Sequence, residues 1–170
     1  MIIQKENKIL RLIAKKIIDA KSAETRTLIN RLAEAMFNEP DGIGIAAPQI
    51  GESFQIFLVA KDLLSLDSGT SEKKPKERKR DYYVFINPLV EKLSRKKEND
   101  IEGCLSVRRV YGEVLRAQKL TIEYFDETGK KHKRGASGLF ARVIQHETDH
   151  LNGMLFIDRA KNLRTFNHAS

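Results

Sequence analysis

The sequence predicts an α+β domain in which mainly antiparallel strands pack around a C-terminal helix. Short apolar runs rich in β-branched and aromatic residues are interspersed with helical patterns, without the strand–helix–strand rhythm of a parallel sheet. The length of 170 residues suits one domain, 1–170, with a sizeable core. The last helical pattern carries a histidine pair, so this helix is the candidate functional element.

Two helices are predicted in the first 40 residues. Residues 9–19 are rich in Ile, Leu, Ala and Lys, which indicates a short helix. Residues 24–38 place Leu28, Leu32 and Met36 on one face. An Asn-Glu-Pro-Asp-Gly run then ends the second helix.

The predicted strands lie between these helices and the C-terminal one. Residues 54–59 and 82–87 are apolar runs typical of buried strands, and a proline follows the second. Residues 119–125 alternate between polar and apolar side chains. A turn at 127–130 leads into a partner strand at 131–134, so the two strands form a hairpin.

A basic segment at about 65–80 interrupts the predicted elements. Its small and charged residues, with a single proline, cannot contribute to a core. We expect a mobile, solvated loop, and the alternative is a docking patch for phosphate groups.

The C-terminal helix is predicted over 138–152 and carries the pattern His-Glu-x-x-His. His146 and His150 lie four positions apart, so both imidazoles face the same side of the helix and can share one metal ion. Glu147 follows the first histidine. There it can act as a general base on a water molecule rather than as a ligand.

A catalytic site of this kind needs a third protein ligand. Cys104 is the single cysteine of the chain. A lone cysteine is most often a small buried hydrophobic residue, but beside a histidine pair it is a candidate thiolate ligand. Asp158 and His168, downstream of the helix, are the alternatives that a zinc endopeptidase would use, and Cys104 would then be dispensable.

Three segments, 42–49, 102–106 and 145–150, resemble the three signature motifs of peptide deformylases, in the same order. The resemblance covers the chain from about Ile9 to Asp158. The family often carries a proline soon after the cysteine motif, where this chain has Val-Arg-Arg. The resemblance implies a metal-dependent hydrolase that removes the formyl group from the N-terminal formyl-methionine of newly made proteins and releases formate.

The resemblance also implies roles for individual residues. Cys104, His146 and His150 would hold the metal, with the Gln49 side-chain amide and the Leu105 backbone N–H as donors to the oxyanion of the reaction. Ligand chemistry alone favours zinc. The family implies ferrous iron in cells, with nickel, cobalt or zinc able to occupy the site. A binding module that had lost activity is a third class, which the intact set of residues disfavours.

The methionine side chain of the substrate requires an apolar pocket. Ile43, Leu139 and Val143 are the candidate walls. Arg142 lies four positions before His146, and its stem either covers apolar surface or lines the mouth of the pocket. In both cases we expect its charge at the rim, because an unpaired buried guanidinium is costly.

The glycines and charges around the motifs suggest further roles. Gly44 and Gly103 suit close pairing with an extended peptide, although turn glycines would look the same. Glu102 carries a charge next to the cysteine, and Arg116 is its expected partner, fixing the loop that presents Cys104.

Composition limits partners and location. The net charge of +8 fits a solvated basic surface or attraction to an RNA-rich partner such as the ribosome. The chain has no Trp and no recognisable nucleic-acid motif, so no specific nucleic-acid recognition is expected. It also lacks an 18-residue apolar run or a signal-peptide pattern, and it has one cysteine. We therefore expect no membrane span and a cytoplasmic location.

Overall fold

The computed structural model describes residues 1–63 and 79–166. These residues include two α-helices, α1 (Ala23–Phe37) and α2 (Gly138–Leu151). The strands are β1 (Gly44–Ala46), β2 (Ile56–Ala60), β3 (Tyr82–Leu93), β4 (Lys97–Cys104), β5 (Val107–Ala117), β6 (Lys119–Phe125), β7 (Lys131–Ser137) and β8 (Lys161–Thr165).

The strands form two antiparallel sheets. One has the order β1-β2-β3-β6-β7 and the other the order β4-β5-β8. Helix α2 contacts strands of both sheets. The predicted class, mainly antiparallel strands around a C-terminal helix, is confirmed.

The two helices pack on opposite faces of the five-stranded sheet. On one face, Phe140 and Ile144 of α2 belong to the same buried cluster as Phe57 and Phe85, whose rings stack at 4.7 Å between centroids. On the other face, the apolar stripe of α1 joins Ile56 and the other alternate residues of β2. Burying one such large side chain contributes about 1.5–3 kcal/mol. Because β2 is buried on both faces, its sequence is a continuous apolar run rather than an alternating one.

The prediction of a helix over residues 9–19 is wrong. The structure has only a short 3-10 turn at Lys8–Arg11, and the following segment is extended. The Ala14 N–H donates to the last carbonyl of α2 at 2.9 Å, and the Lys15 N–H donates to the loop before β2 at 2.8 Å. These long-range backbone hydrogen bonds replace the helical ones, so tertiary context overrides local propensity.

The strand predictions were right in position but incomplete. β3 continues beyond the proline at 88, because a register shift after Ile86 accommodates it. β4, β5 and β8 were not predicted. Most residues of β4 and all of β8 are exposed, so these strands lack the apolar alternation that marks a half-buried strand.

The basic segment predicted at 65–80 falls almost entirely outside the described residues, and its last two residues, Lys79 and Arg80, are exposed. Its mobility stays a prediction, as does the single-domain boundary 1–170. Among the described residues, no helix combines the length and apolar character needed to span a membrane.

Asn87 anchors the extended N-terminal segment. Its side chain accepts from the Ile17 N–H at 2.9 Å and donates to the Ile17 carbonyl at 2.8 Å, and its φ is +48°. Asn tolerates this left-handed backbone better than most residues. Asn87→Ala should therefore lower the free energy of unfolding by about 2–4 kcal/mol, through two lost hydrogen bonds and backbone strain. Urea denaturation measures the change.

Asn99→Ala is the matched control. Asn99 is exposed and its amide donates to Glu113 at 2.8 Å, so its loss should change the free energy of unfolding by less than about 0.5 kcal/mol. Equal effects of the two substitutions would contradict the anchoring role of Asn87.

Candidate metal centre

The three predicted ligands meet where β4 ends against α2. His146 and His150 lie one turn apart on α2, with ring centroids 5.0 Å apart. Cys104 is the last residue of β4, and its Sγ lies 3.3 Å from His150 Nε2. One ligand atom from each of the three residues lies within 4.8 Å of the others. The structure thus brings together residues that are more than 40 positions apart in sequence.

The donor set fits a divalent transition metal. His146 Nδ1 lies 3.0 Å from Glu102 Oε2, and a hydrogen bond there leaves Nε2 as the ligand atom. The Ser106 N–H donates to Cys104 Sγ at 3.4 Å, so the backbone of the turn orients the sulfur. One sulfur and two imidazole nitrogens match the ligand preferences of such metals.

The charges of the cluster also favour a cation. Burial lowers the pKa of His150 well below its usual value, so the ring is neutral, as a ligand must be. Burial also lowers the pKa of His146, but hydrogen bonds with Cys104 and Glu102 outweigh burial and raise it. The cluster therefore favours positive charge at this point, which a divalent cation would supply.

Glu102 lies next to the proposed ligands and contacts His146. Its buried carboxylate accepts from Arg116 Nε at 2.8 Å and from Arg116 Nη2 at 2.9 Å, which is the predicted pair. Burial opposes the charged form, but hydrogen bonds from Arg116 and His146 hold the pKa of Glu102 well below its usual range. Arg116 also contacts Asp149 of α2, so it ties β5 to the metal-binding helix.

Arg142 does not lie at the rim with its charge in solvent, and that prediction is wrong. Its side chain is 9% exposed and donates to Glu102 at 2.8 Å, to the Val114 carbonyl at 2.9 Å and to the Glu98 carbonyl at 2.8 Å. The guanidinium can be buried because Glu102 neutralises it. The two residues are 40 positions apart, so their proximity was not visible in the sequence.

Glu147 lies on α2 beside the ligands and is 3% exposed. Its Oε2 is buried and has no hydrogen-bond partner among the described residues. Burial raises the pKa of Glu147 to about 7. A side chain at Gly44 would place its Cβ 2.5 Å from Glu147 Oε1. Gly44 therefore leaves room for this carboxylate, a reason for the glycine that differs from the predicted contact with a peptide.

A cavity of about 430 Å³ opens beside the cluster. The residues predicted for the substrate pocket all line it: Ile43, Gly44, Gly103, Leu139, Arg142 and Val143. Ile101 and Tyr111 also line it and are partly exposed at its rim. Sequence reasoning missed these two, because the strands that carry them were not predicted.

Gln49 and Leu105 both lie near Cys104 at the cavity. Gln49 is 1% exposed, and its Oε1 accepts from the Ala46 N–H at 2.8 Å. The amide Nε2 is thereby turned toward Cys104 Sγ, at 3.5 Å. Leu105 lies in the two-residue turn between β4 and β5, directly after Cys104. Both residues line the cavity.

The chain is similar in sequence to known deformylases. The sequence pattern of the family described as polypeptide deformylase matches residues 1–166. A peptide deformylase from Bradyrhizobium diazoefficiens is 41% identical over 158 residues, which cover 93% of this chain and 85% of the relative. One from Rhizobium meliloti is 42% identical over 147 residues, covering 86% of this chain and 77% of the relative.

The chain is also similar in structure to solved peptide deformylases. A peptide deformylase from Synechococcus elongatus in complex with actinonin superposes with a TM-score of 0.81 and 35% identity, covering 95% of this chain and 79% of that chain. A Met-Ala-Ser-bound peptide deformylase from Acinetobacter baumannii gives a TM-score of 0.79 and 30% identity, covering 94% of this chain and 96% of that chain.

Arg142→Met tests the buried network. The substitution should lower the free energy of unfolding by about 3–5 kcal/mol, because Glu102 stays buried with one arginine fewer. Urea denaturation of the metal-depleted protein measures this without a contribution from metal affinity. The control is Arg31→Met, which breaks an exposed pair with Glu52 and should cost less than about 1 kcal/mol.

The loss caused by Arg142→Met should also depend on pH. The pKa of Glu102 is lowered in the folded state, so the contribution of its charge is present above the unfolded pKa of about 4.3 and is lost as the pH falls toward the folded pKa. The difference from the unsubstituted protein should therefore shrink in acid. A difference below about 1 kcal/mol at neutral pH would contradict the network.

Proposed function

The chain belongs to the polypeptide deformylase family and removes N-terminal formyl groups, and from this premise we propose which of its residues perform the reaction. The observation that carries the assignment is the cluster of Cys104, His146 and His150 beside the buried carboxylate of Glu147, at the wall of a cavity. The substrate is the formylated amino terminus of a new protein, and the products are formate and a free amine.

Cys104, His146 and His150 would hold one divalent cation. We propose ferrous iron in cells, and the same donors suit zinc, nickel or cobalt. When bound, the cation polarises the formyl carbonyl and makes a water molecule more acidic.

The endopeptidase alternative needs a downstream ligand. Asp158 accepts instead from the Leu155 N–H at 2.8 Å and pairs with Arg11, and it is not part of the ligand cluster. His168 lies outside the described residues. The engagement of Asp158 elsewhere supports Cys104 as the third ligand.

Glu147 would be the general base and then the general acid. Its Oε2 has no competing partner among the described residues, so it can accept a proton from the attacking water. It would then deliver that proton to the nitrogen of the departing amine. A pKa near 7 suits both directions of transfer, and a nearby cation would favour the carboxylate needed for the first step.

Gln49 and Leu105 would stabilise the negative charge that develops on the formyl oxygen. The Gln49 amide is already oriented by Ala46, so it needs little reorganisation during the reaction. The Leu105 backbone N–H would be the second donor. One such donor is worth about 10²–10³ in turnover.

The methionine side chain would lie against Ile43, Leu139 and Val143. β1 and β4 are edge strands of their sheets, so an extended peptide can pair with the backbone near Gly44 and Gly103. The Acinetobacter baumannii neighbour is bound to a peptide that begins with methionine, which supports a substrate with methionine at its amino terminus.

The cellular setting remains a proposal based on the sequence. The net charge of +8 suits attraction to the RNA of the ribosome, where formylated chains emerge. We accordingly propose a cytoplasmic enzyme that acts on nascent proteins, without sequence-specific binding of nucleic acid.

Glu147→Gln should separate catalysis from metal binding. The variant should keep one metal per chain and lose about 10²–10⁴-fold in turnover of a formyl-Met peptide, because proton transfer is lost. Cys104→Ala should instead lose most of the metal. Elemental analysis and formate release measure the two properties.

Glu113→Gln is the control and should match the unsubstituted enzyme, because Glu113 accepts from Asn99 in an exposed hydrogen bond and does not line the cavity. Full metal content in Cys104→Ala would contradict the assignment of Cys104 as a ligand and favour the zinc endopeptidase alternative. Normal turnover in Glu147→Gln would show that another group is the base.

Substrate choice should follow the apolar pocket. Because Arg142 is paired with Glu102, its charge is not free to attract an acidic side chain. A formyl-Met peptide should exceed its formyl-Ala counterpart by at least about tenfold in kcat/KM, and formyl-Asp should be poorer still. Steady-state assays of the three peptides decide this. Equal kcat/KM values for the three peptides would contradict the apolar pocket. A preference for formyl-Asp would mean that Arg142 contacts the substrate side chain.

A further inference from the structure

The segment Ile2–Gln4 contacts both residues that carry the proposed oxyanion donors, Gln49 and Leu105. The Ile3 N–H donates to the Gln49 carbonyl at 2.9 Å. The Gln4 side-chain amide donates to the Leu105 carbonyl at 3.2 Å, across 101 positions of sequence. Two consecutive residues, Ile3 and Gln4, thus contact Gln49 and Leu105 respectively, although neither lines the cavity.

The contact from Gln4 holds a particular peptide group, the one between Leu105 and Ser106. Its carbonyl accepts from Gln4, while its N–H donates to Cys104 Sγ at 3.4 Å. This peptide belongs to the tight turn flanked by the pair Cys104 and Val107. Because the Leu105 N–H lies on the other side of the same Cα, holding this peptide in place restricts the backbone angles that Leu105 can adopt, and so helps to position that donor.

The contact from Ile3 holds the other donor in the same frame. It fixes the backbone of Gln49, and the Ala46 N–H fixes the orientation of the Gln49 amide at 2.8 Å. The two donors would therefore have set positions before a substrate arrives. Such preorganisation is what makes an oxyanion donor effective, since no reorganisation is needed as charge develops.

We propose that Gln4 is a positioning residue for deformylation, acting through the Leu105–Ser106 peptide. The inference rests on the proposed roles of Leu105 and Gln49. Gln4 itself does not line the cavity, so its loss should affect the step in which charge develops and leave ground-state binding of the substrate unchanged.

Gln4→Leu removes the donor while nearly preserving side-chain volume. The kcat for a formyl-Met peptide should fall about 3- to 10-fold, the equivalent of one modest hydrogen bond. KM and metal content should stay unchanged. Gln4→Glu, which directs a carboxylate at the Leu105 carbonyl, should lower kcat at least as much at neutral pH.

The matched control is Gln55→Leu. The Gln55 amide also donates to a backbone carbonyl, that of Ala14, at the same 3.2 Å, and both contacts are partly buried. Gln55 does not line the cavity. Its substitution should leave kcat unchanged, so any general effect of losing such an amide is subtracted.

Three results would overturn the inference. They are an unchanged kcat in Gln4→Leu, a rise in KM that accounts for the whole loss, or a loss of kcat that merely follows lost metal or lowered thermal stability. The last outcome would show that Gln4 has only a structural role. Failure of the unsubstituted enzyme to release formate would instead contradict the proposed function.

Discussion

The site depends on one buried carboxylate, that of Glu102, which connects three elements of the fold. Glu102 itself lies on β4, two residues before Cys104. It accepts from Arg116 of β5 and from Arg142 of α2, and it lies within hydrogen-bond distance of His146. This charge therefore helps to fix the strand that carries the sulfur to the helix that carries the imidazoles. Removing that charge would leave two buried guanidinium groups short of a partner.

A buried ionic network is weak evidence for stability, because apolar side chains of similar volume often fold as well or better. Its value here is geometric. Apolar packing tolerates small shifts, whereas directed hydrogen bonds to both carboxylate oxygens hold the ring of His146 in one orientation. The tight spacing of the ligand atoms, within 4.8 Å, needs that precision.

Helix α2 serves the core and the site with different faces. Phe140 and Ile144 pack into the cluster shared with the five-stranded sheet, while the histidines face the end of β4. Ile3 and Gln4 hydrogen-bond to Gln49 and Leu105 at the site, and Ala14 of the extended N-terminal segment hydrogen-bonds to the last carbonyl of this helix. The proposed catalytic groups consequently lie on elements that the core already immobilises, which suits a reaction that requires preset donors.

The sequence alone determined the class of fold, and it predicted the proposed ligands and the proposed base, because these depend on local patterns. A histidine pair on a helical repeat and a single cysteine are visible without tertiary information. Only the tertiary structure decided the position of Arg142, the extended form of residues 9–19 and the contacts of Gln4. Each depends on a partner far along the chain, such as Glu102 at 40 positions or Leu105 at 101 positions. Local propensity carries no information about such partners, and hydrogen bonds formed across the fold outweigh it.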